Sequence, residues 1–217
     1  MMKATAMPRK PANQTVHRED ILQAAAAVFR ERGYAGATMA QIARRVRLTA
    51  GSLYHHFPAG KQDLLLAVLN AGMDIVLAQL EAILAQNLPP DETLRQMIEA
   101  HAVAVTQNVS VGAAMVFEIR TLIALPPDDP SAAERDAFLA RRDRFERHFR
   151  AVIERGIQEG VFRCVDAGLF TKALLGAQNW ISVWYREGGK LDGKQIAAHM
   201  AETFLAALGC LSAKKSS

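Results

Sequence analysis

The sequence predicts an all-α fold: an N-terminal three-helix unit of helix-turn-helix form, then a larger C-terminal helical bundle, about nine helices in total. Three observations predict it. Apolar residues recur at spacings of three and four along most of the chain, the period that lays a stripe on one face of a helix. Helix-start signals, a short polar residue with Glu or Gln three places on, recur at Thr38, Ser131 and Asp192. No stretch sustains the alternation a strand needs. Half of the 217 residues are apolar, enough to bury a core, which argues against a disordered chain.

Residues 1–16 are polar, contain Pro8 and Pro11 and show no period, so a flexible basic leader is expected, with Arg9 and Lys10 free to touch phosphate or the minor groove. From Val16 a first helix carries Ile21, Leu22, Ala25, Val28 and Phe29 inward and stops at Gly33, a favourable left-handed cap. Thr38 and Gln41 form a capping box for a second helix, whose inner face is Met39, Ile42, Ala43 and Val46. Leu48 and Thr49 interrupt it. Thr49 caps a third, very short helix from Ala50 to about His56, halted by Pro58 and Gly60.

A long fourth helix is expected from about Lys61 to Ala85, with Leu64, Leu65, Val68, Leu69, Val76, Leu80 and Leu84 apolar. Pro89-Pro90 breaks the pattern and Asp91 caps a helix over about 92–107. Another spans about 110–124, ahead of Pro126-Pro127. Ser131 with Glu134 opens a long helix to about Gln158, followed by Gly160. Asp166 starts a helix to about Arg186, which Gly188-Gly189 ends, and Asp192 with Gln195 caps a last one to about Leu208. The organisation expected is a leader at 1–16, a helix-turn-helix unit at 17–77, a second domain at 78–211 and a disordered tail at 212–217.

The net charge of +4 is unevenly spread. Residues 1–63 hold ten Lys or Arg against four Asp or Glu, while the remainder is slightly acidic. A basic N-terminal piece joined to a near-neutral apolar one fits nucleic-acid binding at one end only. Cys164 and Cys210 form no CxxC pair, and a reducing cytoplasm suits them. No apolar run reaches the roughly 18 residues of a membrane span, and the first residues lack the apolar region of a secretory signal. No GxSxG, HExxH, Walker A, GxGxxG or Cys/His metal spacing is present, so neither catalysis, a cofactor nor a metal is implied. An all-α enzyme, or an architectural DNA-binding protein without a ligand, are the rival readings.

The chemistry sits on the third short helix. Leu53 and Phe57, four apart, hold it to the domain, which leaves Thr49, Ala50, Ser52, Tyr54, His55 and His56 facing out. Hydroxyls, imidazoles and a methyl suit phosphates, base edges and thymine methyls. Arg44, Arg45, Arg47 and Lys61 flank them with positive charge, the salt-dependent part of DNA affinity. The same aromatics and histidines would equally suit a plain core and a solvated pair.

The run Gly33-Tyr34-Ala35-Gly36-Ala37-Thr38-Met39-Ala40-Gln41-Ile42-Ala43, with Gly51-Ser52-Leu53-Tyr54-His55-His56-Phe57-Pro58 and Lys61-Gln62-Asp63-Leu64-Leu65, resembles the TetR family of bacterial repressors. The resemblance spans about 50 residues. It implies that Thr38 bonds a phosphate, that Tyr54, His56 and Lys61 hold the DNA backbone, and that Thr49, Ala50, Gly51, Ser52 and His55 lie nearest the bases. Ala37 and Ala40 depart from the hydroxyl and polar residues common there, which puts one phosphate contact in doubt. The resemblance also implies a C-terminal domain that binds an effector and dimerises.

For dimerisation, Phe170, Leu174, Ala177, Ile181 and Trp184 make one stripe and Ile196, Met200, Phe204 and Ala207 another, and two such helices per chain can meet their symmetry mates. Packing within the chain would use the same stripes. For the effector, Met73, Leu77, Met97, His101, Met115, Phe117, Phe138, Phe145, Phe149 and Trp180 suit an adaptable apolar cavity, with His101, Arg120, Gln178 and Asn179 as polar handles; each also suits ordinary core. The segment from Ala177 to Tyr185 resembles family members that answer to acyl-coenzyme A thioesters. Arg141, Arg142, Arg144, Arg147 and Arg150 read as a solvated face paired with Asp143 and Glu146, or as a contact for a ligand phosphate.

Overall fold

The computed structural model describes residues 16–209, and every regular element among them is helical. Residues 1–15 of the leader expected at 1–16, the tail at 212–217 and Cys210 lie outside the described residues. Ten helices form: α1 (Arg18–Gly36), α2 (Met39–Arg45), α3 (Ala50–His56), α4 (Lys61–Leu84), α5 (Pro90–Gln107), α6 (Val109–Phe117), α7 (Ile119–Ile123), α8 (Ala132–Gln158), α9 (Ala167–Trp184) and α10 (Gly193–Ala207).

Local chemistry explains most boundaries. Thr38 and Gln41 close the capping box on α2, with Thr38 Oγ1 accepting from the Gln41 N–H at 3.2 Å and Gln41 Oε1 accepting from the Thr38 N–H at 3.0 Å. Thr49, Asp166 and Asp192 each accept from the backbone N–H three residues on. Gly33 takes φ +67°, but one further turn to Gly36 follows its kink. Pro90 opens α5 at its first turn, where a missing N–H costs nothing, so Asp91 lies inside the helix rather than at its cap.

Two further expectations fail. Ser131 makes no capping bond; its own N–H donates to Asp129 Oδ1 at 2.8 Å, and α8 begins without the box. The helix expected over 110–124 splits at Glu118 into α6 and α7, which turns Ile119 and Leu122 into the core while Phe117 and Ile123 stay exposed.

One apolar cluster runs from Ile21, Phe29, Ile42, Leu53 and Phe57 through Leu65, Leu69 and Leu80 of α4 to Phe138, Phe149 and Leu174. The small N-terminal unit and the larger bundle therefore share a core through α4, which packs against α1, α5, α6 and α8. By length and composition α4 is also apolar enough to cross a membrane. Here it is an internal helix, with nine side chains buried and Asp74 and Glu81 paired to Arg141 and Arg144 of α8. Arg141 and Arg144 thus reach across to α4 instead of pairing with Asp143, while Arg150 pairs with Glu154 of its own helix.

Candidate nucleic-acid interface and internal cavity

The turn between α2 and α3 is tight. Leu48 N–H donates to the Ala43 carbonyl at 2.9 Å, and Arg47 adopts φ +59°, left-handed for a residue with a β-carbon. Leu53 and Phe57 are 0% and 2% exposed and clamp α3 onto the core. Tyr54 is 49% exposed, and Thr49, Gly51, His55 and His56 are exposed beside it, with Ala50 and Ser52 half-buried. Thr49 Oγ1 lies 2.9 Å from Ser52 Oγ, so the two hydroxyls are pre-arranged at the start of α3. Gly60, at φ +73°, lets the chain turn under Tyr54: a β-carbon there would stand 3.1 Å from the tyrosine ring.

The flanking cations divide into two groups. Arg44 and Arg47 are exposed and make no ion pair among the described residues, whereas Arg45 pairs with Glu31 of α1. The Lys61 ammonium is engaged internally. It donates to the Tyr34 and Ala37 carbonyls at 2.6 and 3.0 Å and lies 4.4 Å from the Tyr34 ring centre. Lys61 closes the C-terminal end of α1, a use that the resemblance alone did not suggest.

A cavity of about 580 Å³ lies between α1, α4, α5, α6, α8 and α9. Of the residues expected to form an effector site, Met73, His101, Met115, Phe145 and Asn179 line it. Leu77 and Met97 are buried in the core away from its wall. Phe149 stands behind His101, at 6.3 Å between ring centres, and Gln178 is bonded to it. Three expectations fall outside. Arg120 is exposed on α7, and Phe117 and Trp180, 53% exposed each, lie against one another on the outer surface at 6.3 Å.

Sequence reasoning missed the walls supplied by α1 (Glu19, Leu22 and Gln23) and by the small residues of the helices. A β-carbon on Gly72 would stand 2.6 Å from Val111, so α4 and α6 touch there. A lone glycine within an apolar helix was the available signal.

Burial pushes the His101 imidazole down to about 4, so it is neutral near pH 7. Rim charges are Glu19, Arg142, Asp143 and the Lys172–Glu146 pair at 2.6 Å. Beside this cavity lies a wider cleft of about 1160 Å³, carrying Arg30, Arg186 and Lys194 together with Glu187 and Asp192. Gln23 and Asn108 border both, and Gln23 Nε2 donates to Asn108 Oδ1 at 3.3 Å. Among the described residues no cluster of His, Cys, Asp or Glu is placed to hold a metal ion.

The stripes expected to dimerise split by burial. Leu174, Ile181 and Ile196 are 0%, 0% and 4% exposed and pack inside their own chain, which corrects their assignment to a partner surface. Phe170 and Phe204 meet edge to face at 5.8 Å, and with Met200 are half-buried. Ala177, Trp184 and Ala207 do face out. The outer face of α9 is completed by Leu169, Ala173, Gly176 and Trp180, residues the stripe omitted. Both faces of α9 are apolar, so periodicity could not tell the inner from the outer.

Residues 21–68 match the family described as bacterial regulatory proteins, tetR family, and residues 87–208 match the tetracyclin repressor-like C-terminal domain. The chain is 30% identical over 193 residues to the transcriptional repressor KstR2 of Mycobacterium tuberculosis, covering 88% of this chain and 92% of that protein. The solved structure of KstR2, a ketosteroid transcriptional regulator, superposes with a TM-score of 0.79 at 26% identity, over 92% of this chain and 98% of that one. PfmR of Thermus thermophilus gives 0.74 at 32% identity, over 86% and 97%. AibR, solved with isovaleryl coenzyme A and operator DNA, gives 0.71 at 29% identity, over 85% and 96%. With an outward-facing third helix in a basic three-helix unit and matches along nearly the whole chain, the protein belongs to the TetR family of DNA-binding transcriptional regulators, which are not enzymes.

Proposed function

We propose that the repressor binds a two-fold symmetric operator as a homodimer and is released when a small, largely apolar ligand fills the internal cavity. One observation carries the coupling: the cavity wall includes α1, through Glu19, Leu22 and Gln23, and α4, through Val68, Met73 and Val76. α1 packs against α2, α2 packs against α3, and α3 runs into α4 through the short turn at Gly60, so a ligand pressing on α1 and α4 biases the recognition helix through those contacts. The proposed contacts are Thr38, Arg44, Arg47 and Tyr54 to the DNA backbone, with Thr49, Ala50, Gly51, Ser52 and His55 nearest the bases. A single seven-residue helix reads few bases, and a dimer reads two half-sites one helical turn apart.

Acyl thioesters of coenzyme A are the ligand class this reading favours. AibR binds one, and the segment from Ala177 to Tyr185 resembles acyl-coenzyme A-responsive relatives. The apolar cavity suits an acyl group, and the adjoining cleft offers Arg30, Arg186 and Lys194 to phosphates. The setting that suits such a protein is the cytoplasm.

The test captures genomic fragments with the purified full-length protein, sequences them, and titrates the bound operator with a panel of acyl thioesters. We expect one of them to lower operator affinity between about 5- and 150-fold, the range of a coupling of roughly 1–3 kcal/mol. Unchanged affinity across the panel, with no thermal shift, would leave an architectural DNA-binding protein as the better account.

A further inference from the structure

We infer that the effector must carry a hydrogen-bond donor, a hydroxyl or an N–H, on the part that lies against His101. The inference rests on the reading of the cavity as the effector site. Among the residues lining that cavity, His101 is the polar side chain that is more than nine-tenths buried, at 6% exposure. Its ring is fixed edge-on against Phe145 at 5.0 Å between centres and Phe149 at 6.3 Å.

Its protonation pattern is dictated from behind. Gln178 Nε2 donates to the Ile98 carbonyl at 2.6 Å, which orients the amide and turns its oxygen toward His101. That oxygen lies 3.1 Å from His101 Nδ1 and can only accept, so Nδ1 carries the imidazole hydrogen. Nε2 therefore holds a lone pair. No other hydrogen bond reaches the ring from the described residues.

Gln178 is fully buried and stands behind the wall, while His101 is part of it. The ring edge opposite Gln178 is the one that can meet a ligand, and it presents an acceptor alone. A ligand with a hydroxyl there gains a hydrogen bond. One with an ether or carbonyl oxygen in the same place sets two lone pairs against each other in a low-dielectric cavity. Gln178 thus acts as a positioning residue, selecting the ligand through the tautomer it enforces.

The experiment uses 4-pentylphenol and 4-pentylanisole, which differ in whether the oxygen can donate. Calorimetric titration of the full-length protein should give about tenfold tighter binding of the phenol, the scale of one hydrogen bond against a buried unpaired acceptor. The preference should fall to within about twofold in His101→Phe. It should also shrink in Gln178→Met, where the ring is free to place its hydrogen on Nε2.

Nitrogen-15 spectra of the wild-type protein give a readout that needs no variant to fold: near pH 7, Nδ1 of His101 should be protonated and Nε2 bare. A protonated Nε2 overturns the inference, as does equal wild-type affinity for the two ligands. If both bind equally, the effector cavity stands and only the donor requirement falls. If neither binds, the cavity reading itself falls and takes this inference with it.

Discussion

Two side chains show how much a single residue can report. Arg47 occupies left-handed backbone in the turn before α3, at a cost of roughly 1–2 kcal/mol for a residue with a β-carbon. Replacing it with glycine removes that strain and a positive charge together, so stability and DNA binding should move in opposite directions. Arg47→Gly should raise the thermal midpoint by a few degrees and reduce the salt dependence of operator affinity by about one unit of slope. Thermal melts and anisotropy at several salt concentrations check both, and an unchanged slope removes Arg47 from the phosphate contacts.

His101 gives the second residue-scale prediction. Its folded-state value near 4 lies below the ordinary imidazole value because burial disfavours the charge. Between about pH 6.5 and pH 4 the unfolded chain binds a proton that the folded chain refuses. This residue's contribution is therefore unchanged above pH 6.5 and costs about 3 kcal/mol by pH 4. Denaturant melts of wild type and His101→Leu should show that part of the acid sensitivity disappearing in the variant. Neither position announced its state in the sequence: a histidine amid apolar residues reads as core or as ligand contact until Gln178 is placed beside it.

Helices were the most legible scale, because their starts are written locally. The caps at Thr38, Thr49, Asp166 and Asp192 form as their spacing demands, since the capping bonds lie within four residues. Ser131 fails for an equally local reason: Asp129, two residues earlier, takes its N–H. What an element does for its neighbour is harder to read. Lys61 stands where the resemblance puts a phosphate contact, yet its ammonium binds the carbonyls that end α1, 24 to 27 residues away. Lys61→Ala should therefore lower the thermal midpoint, by several degrees if about 2 kcal/mol is lost, and leave the salt slope of DNA binding close to wild type. Arg44→Ala should do the reverse, reducing the slope by about one unit at constant stability. If Lys61→Ala also removes a unit of slope at an unchanged midpoint, the internal role assigned to Lys61 is wrong.

At the scale of the molecule, the division of labour between the two ends was visible in the charge split, but the outward face of α9 was not. A stripe on a helix with apolar residues on both its inner and outer faces names the core and the partner surface with the same residues, and burial by the rest of the chain decides between them. Leu174 and Ile181 went inward, leaving Leu169, Ala173, Gly176, Ala177, Trp180 and Trp184 outside. Small residues followed along the same face by two exposed tryptophans would let a symmetry-related helix approach closely and bury large rings, the chemistry expected at the centre of a self-complementary contact. If this face forms the proposed dimer contact, a carboxylate there would be stripped of water on association, so Trp180→Glu should leave the chain a monomer with its fold intact. Sedimentation would show the halved mass and circular dichroism the retained helix. Operator affinity should then fall by two or more orders of magnitude, because the second half-site is no longer held at the effective concentration that linkage provides. A Trp180→Glu protein that remains dimeric would move the interface off this face of α9. A monomer that still bound the operator at full strength would show that one recognition helix suffices.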